Sequence, residues 1–126
     1  MEREQSRTAR RRALARGRRG ETLCALWLRL KGYRIVARNL RTPQGEIDIV
    51  ARRGDTLAVI EVKRRDDFAA AGEAVTARKR RRLSMAARAV LARIPDSDRL
   101  SVRFDAMLIG GGRIAHVQDA WRDDTR

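Results

Sequence analysis

Apolar positions follow two different periods along this chain, and each change of period marks an element. Between residues 20 and 30, Leu23, Leu26, Trp27 and Leu30 recur at i, i+3, i+4 and i+7, the spacing of one helical face. Cys24, Ala25 and Leu28, with Glu21 above them, fall on the opposite side, so this helix is expected to pack on both faces. Gly32 is its stop. Three strand-like runs follow: 33–40 (YRIVARNL), 46–53 (EIDIVARR) and 56–65 (TLAVIEVKRR). Thr42 to Gly45 and Gly54-Asp55 supply the turns, the second being the strongest hairpin signal, so the three runs read as an antiparallel meander. On the third strand Ala58, Ile60 and Val62 form the core face. A long helix is predicted over 73–94, its buried stripe marked by Val75, Leu83, Ala86, Ala87, Val90, Leu91 and Ile94 and its end by Pro95-Asp96. Two strands, 99–110 and 113–121, flank a glycine turn. The order α-β-β-β-α-β-β, with a strand–helix–strand crossover after the meander, implies an α/β fold: a mixed β-sheet flanked by helices.

Size and charge narrow this picture. The chain has 126 residues, 43% of them hydrophobic, enough for one domain over residues 20–122. Residues 1–19 form a basic arm, rich in arginine and poor in apolar side chains, expected to be flexible and to neutralise phosphates. No apolar run approaches the roughly 18 residues that cross a bilayer, and no hydrophobic stretch precedes Leu23, so neither a membrane partner nor a secretory signal is expected. Cys24 is the single cysteine, which excludes an internal disulfide and a cysteine-cluster zinc site and fits a cytoplasmic setting. A net charge of +14 points to a polyanionic partner, nucleic acid before anionic membrane. Lysine is scarce, so Lys63 stands out among the arginines.

The chemistry lies in acids on otherwise apolar strands. Burying a carboxylate beside Val and Ile is costly unless it is paired or binds a cation. Residues two apart share a strand face, so Glu46 and Asp48 point one way, as do Glu61 and Lys63. Pairing about Gly54-Asp55 brings Asp48 and Glu61 close across the ladder. Their repulsion would be relieved by a hard divalent cation, Mg2+ or Mn2+, with the Val62 carbonyl as a further ligand. Such an ion polarises a phosphate and acidifies a bound water, while Lys63 could orient that water or offset developing charge. The bland alternative is an exposed strand face with a Glu–Lys salt bridge.

Asp48-(x12)-Glu61-x-Lys63 on a hairpin resembles the PD-D/ExK nuclease core of restriction-endonuclease-like folds. Longer segments are similar to the uncharacterised YraN-like bacterial family, which is predicted to be endonuclease-like. These are GRRGETLCALWLRLKGYRIVARNLR (17–41), GEIDIVAR (45–52), LAVIEVKRR (57–65), EAVTARKRRRL (73–83) and RFDAMLI (103–109). The position before the Asp, usually Pro in the motif, is Ile47. The resemblance implies a restriction-endonuclease-like sheet related to archaeal Holliday-junction resolvases. It implies Asp48, Glu61 and Lys63 as a metal-dependent core, with Glu21 as a helix-borne acid. The related resolvases are dimers, so a homodimer is compatible with it.

The expectation is a metal-dependent endonuclease acting on DNA rather than RNA, on branched or damaged structures. Arg18, Arg19, Arg65, Lys79, Arg80 and Arg81 would grip phosphates without reading sequence. Two other readings stand beside it: a noncatalytic nucleic-acid-binding module that kept the nuclease fold, and a ribosome- or RNA-associated basic protein. Among the remaining residues, Asp105 is expected to tie down Arg103, His116 to be a half-exposed strand residue, and Trp27 and Trp121 to serve packing.

Overall fold

The structure, a computed structural model, describes residues 20–64 and 77–121. The first helix, α1, covers 20–30. It ends where predicted, through a six-residue closure. The Tyr33 N–H donates to the Leu28 carbonyl at 2.9 Å and the Gly32 N–H to that of Arg29 at 3.0 Å. Gly32 holds φ 92°, a left-handed conformation that a side chain would strain. Both Leu28 and Tyr33 are buried, so the chain leaves the helix already committed to the core.

Five strands follow in one sheet, in the spatial order β1-β2-β3-β4-β5. They are β1 (Arg34–Thr42), β2 (Gly45–Arg53), β3 (Thr56–Arg64), β4 (Ser101–Gly110) and β5 (Arg113–Trp121). The first three form the antiparallel meander, with Thr42 opposite Gly45 and Arg53 opposite Thr56. The helix α2 (Ala77–Leu91) and a short 3-10 turn (Ser97–Arg99) then carry the chain across, so β4 pairs parallel with β3 and β5 returns antiparallel. The sheet is therefore mixed, as the crossover implies.

Among the described residues, α1 and α2 cover opposite faces of the sheet. Cys24 and Leu28 of α1 pack with Tyr33, Ile49, Ala51, Ala58, Ile60 and Met107. Leu83, Ala86, Ala87 and Val90 of α2 pack with Ile47, Val50, Leu57, Val59, Phe104 and Ala106. This corrects the one-sided reading of β3. Leu57 through Glu61 are all buried, because a central strand beside a parallel neighbour has a helix on each side.

Two further expectations are corrected. α2 ends at Leu91 rather than at Ile94. Its last turn tightens, with Arg93 donating to Val90 and Ile94 to Leu91, as suits a chain about to meet Pro95, which disfavours helical geometry in the residue before it. Residues 73–76 lie outside the described set. In α1 only one face is packed. Leu23, Leu26 and Trp27 are about half exposed, Leu30 is 81% exposed, and Trp27 is therefore not a core residue. The 3.6-residue period locates a face but does not say what covers it. The sheet offers one surface to α1, and the Cys24–Ala25–Leu28 side takes it.

Candidate functional site

Strict alternation along β2 would put Ile47 with Ile49. Instead Ile47 packs on the α2 side and Ile49 on the α1 side, so the alternation slips at the residue between them, Asp48. The β2–β3 ladder also ends there, its last pair being Ile49 opposite Ile60. Continuing that register by one step sets Asp48 across from Glu61. With the ladder bond given up, the Val62 N–H donates to Asp48 Oδ2 at 2.8 Å. A carboxylate thus replaces a backbone acceptor at the end of the hairpin.

Acids crowd this point. Burial pushes the Asp48 carboxyl up to about 6, and the charges of Glu21, Glu61 and Glu46 add to the rise, against the opposing Val62 N–H. Glu21 arrives from the first described turn of α1. That helix approaches β4 closely, since a Cβ on Gly20 would lie 2.6 Å from Ile109 Cδ1. Glu21 Oε2 is buried and, among the described residues, accepts no hydrogen bond. Cys24, one turn further on, is fully buried, and burial followed by the nearby Glu21 and Asp48 charges holds its thiol up at about 11. It is an inert core thiol under the carboxylates.

Glu61 is 8% exposed, and Lys63 Nζ lies 3.7 Å from its Oε1, an ion pair beyond hydrogen-bonding distance. Glu46, Asp48, Ile60, Glu61 and Leu83 line a cavity of about 190 Å³. The four candidates Glu21, Asp48, Glu61 and Lys63 thus come to one end of the sheet, with Glu46 exposed at the rim. Among the described residues, no three His, Cys, Asp or Glu side chains are gathered closely enough to ligate a metal directly. Two carboxylates are still a sufficient protein share for Mg2+, which keeps several waters and takes further oxygens from a phosphate.

The candidate phosphate contacts are placed unevenly. Arg81 is exposed on α2, and Arg80 is half-buried with a buried Nε that lacks an acceptor among the described residues. Lys79 belongs to the first turn of α2, but its side chain, like Arg18, Arg19 and Arg65, lies outside the described residues. The basic arm 1–19 lies outside them too.

A second charged cluster was only partly foreseen. Asp105 on β4 is fully buried and ties down Arg103, whose Nε and Nη2 donate to its two oxygens at 2.8 Å each. Arg103 also donates to Tyr33 Oη at 2.6 Å, and the Asp119 N–H to Asp105 Oδ1 at 3.0 Å. His116 corrects its sequence reading, because its side chain is only 2% exposed. Its Nε2 lies 2.7 Å from Asp105 Oδ2 and its Nδ1 2.7 Å from Lys31 Nζ. The lysine ammonium only donates, so Nδ1 is the bare acceptor and Nε2–H donates to Asp105. Sequence alternation hid this, since Ile114 and Gln118 give no sign that a lysine at the end of α1 reaches β5.

The architecture, then, is a mixed α/β fold with a five-stranded sheet between helices and an acidic cluster at the end of its central hairpin. The chain belongs to the family described as Uncharacterised protein family UPF0102, whose profile matches residues 20–109. It is 55% identical over 107 residues to the UPF0102 protein of Parvibaculum lavamentivorans, covering 84% of this chain and 80% of the relative. A Chelativorans relative is 50% identical over 105 residues, 83% of this chain and 85% of its own. One from Acidiphilium cryptum is 43% identical over 123 residues, 98% of this chain and 96% of its own. Among the described residues, no helix is long and apolar enough to cross a membrane.

Proposed function

We propose that the chain is a metal-dependent endonuclease of the restriction-endonuclease-like fold, hydrolysing phosphodiester bonds in DNA. The observation that carries this is the state of Asp48. It is a half-buried carboxylate held up at about 6 beside three other acids, with one N–H as its hydrogen-bond donor. A carboxylate so under-compensated favours a cation. The donor set fits: Asp48 and Glu61 would hold Mg2+ or Mn2+, and the buried, unsatisfied Glu21 Oε2 could accept from a metal-bound water. When bound, the ion polarises a phosphodiester and acidifies its water. The chain's own residues do the rest. Val62 fixes one oxygen of Asp48, leaving the other to turn into the cavity. Lys63, partly exposed beside Glu61, can hold the attacking water or offset charge on the phosphate. Arg80 and Arg81 supply phosphate contacts from α2. The strand order, with acids on two adjacent strands and a helical crossover into the parallel β4, is consistent with the fold resemblance.

The test is a panel of branched, nicked and single-stranded DNAs with Mn2+. Wild type is expected to cut, and Asp48→Asn and Glu61→Gln to stop cutting while still binding. Tight binding by wild type with no cutting would make the chain a noncatalytic nucleic-acid-binding module instead. Preference for structured RNA would favour the RNA-associated reading. Calorimetry that finds no divalent-ion binding dependent on Asp48 or Glu61 would remove the metal site.

A further inference from the structure

At the far end of β2 from Asp48, an open cavity of about 590 Å³ is lined by Gly32, Arg34, Arg52, Arg53, Gly54 and Asp96. We infer that this pocket is a phosphate site that takes a backbone phosphate of a nucleic-acid strand. Three guanidinium groups face one carboxylate, and that carboxylate is already engaged. Arg52 Nη1 and Nη2 donate to Asp96 at 3.0 and 2.7 Å, and its Nε donates to the Gly54 carbonyl at 3.2 Å. Among the residues lining the pocket, Arg34 and Arg53 are thus left without a carboxylate partner.

Arg53 is held in place rather than loose. Its guanidinium carbon lies 5.0 Å from the Tyr33 ring centroid, and Nη1 donates to the Lys31 carbonyl at 3.3 Å. Tyr33 is itself fixed, buried and receiving a hydrogen bond from Arg103. Ordering a long arginine normally costs entropy on binding, and here the fold has already supplied that order. Arg34 makes no hydrogen bond or ion pair among the described residues, so its fork is open to an oxyanion. Among the described residues no aromatic ring lines the pocket, and the neighbouring Tyr33 is buried, so the pocket meets phosphate charge and not a base face, and contact is independent of sequence. Asp48 and Arg53 are five residues apart on β2, about 17 Å at about 3.4 Å per residue. One phosphate cannot reach both, so the pocket holds a different phosphate from the one at the acidic end.

The choice of a strand as the source rests on the nucleic-acid reading above; the affinity for phosphate does not. Two arms separate them, each run with Asp48→Asn chain so that cutting does not intervene. In the first, inorganic phosphate is titrated while the Gly54 amide and Arg53 Nε signals are followed by NMR. In the second, duplex binding is measured across salt for that chain and for versions also carrying Arg34→Glu or Arg53→Ala, with thermal melts to check folding. Arg34→Glu alters a side chain that braces nothing. Expected are phosphate-dependent shifts at Gly54 and Arg53, a duplex affinity about tenfold weaker in each variant, and a salt slope reduced by about 1. Phosphate shifts with unchanged duplex binding would overturn the strand assignment in favour of a small phosphate-bearing molecule. No shifts and no change in slope would overturn the pocket. A parent chain that fails to bind duplex at all would sink the nucleic-acid reading, with the phosphate arm still deciding the pocket.

Discussion

Asp48 and Asp105 stand on the same sheet, on β2 and β4, and the fold treats them in opposite ways. Asp105 is the more deeply buried, yet its carboxyl is held down at about 2. Burial pushes it up, but His116, Arg103 and the Asp119 N–H together outweigh that cost. Asp48 is less enclosed and sits at about 6, because burial and three neighbouring acids meet a single N–H. Depth of burial therefore does not decide the charge state; the number and sign of partners does. Asp105 is a completed structural joint between the α1–β1 connection, β4 and β5. Asp48 is an unfinished one, and an unfinished carboxylate at a cavity is where an added cation would be stabilising.

The largest expected effect tests the completed joint. Asp105→Asn leaves the Arg103 guanidinium partly buried without its countercharge, and should cost about 3–5 kcal/mol in urea unfolding. A loss under 1 kcal/mol would mean that the cluster is solvated and the contrast with Asp48 is empty.

The same substitution at Asp48 should act in the other direction. Asp48→Asn keeps an oxygen for the Val62 N–H and removes a half-buried charge. The folded value lies about two units above the usual 3.8, which sets a gain of about 3 kcal/mol for the metal-free protein at pH 8. The pH windows differ in sign. Because Asp48 is raised, its contribution to stability is full below about pH 4 and declines as pH rises to about 6, so the variant's gain should vanish at pH 4. Because Asp105 is lowered, its contribution is present above about pH 4 and is lost as pH falls toward 2. Saturating Mn2+ should raise the melting temperature of wild type at pH 8 and leave Asp48→Asn unmoved. A variant less stable than wild type at pH 8 without metal would show that Asp48 is a structural anion like Asp105.

The contrast also explains what the sequence could and could not convey. Acids within the apolar runs GEIDIV and AVIEV are anomalies of local composition, so Asp48 and Glu61 were visible, as was their pairing through the Gly54-Asp55 turn. The slip that places Ile47 with α2 and frees Asp48 for Val62 was not, because alternation assumes an unbroken ladder. The Asp105 joint joins residues 31, 33, 103, 105 and 116, whose meeting depends on the order of strands and on the end of α1. Only its local part, Arg103 with Asp105, could be read from spacing. The exposed Leu30 and Trp27 have the same cause, since period reports a face and packing decides its cover.

The smallest effect probes the outer link of the Asp105 joint. Lys31→Met keeps an apolar stem of similar length but removes the donor to His116 Nδ1. One charge-assisted hydrogen bond at a half-buried position is lost, so the cost should be about 1 kcal/mol, well below that of Asp105→Asn. The imidazole nitrogens give a readout that a change in packing alone would not. In wild type at pH 8, nitrogen NMR should find Nε2 protonated and Nδ1 bare, as the geometry requires. Lys31→Met should keep Nε2–H, because Asp105 still accepts from it, while Nδ1 loses the shift that comes from accepting the lysine donor. A proton found on Nδ1 with Nε2 bare would reverse the tautomer and detach His116 from Asp105. The joint would then have one fewer donor, and the distance between the two aspartates in charge state would narrow.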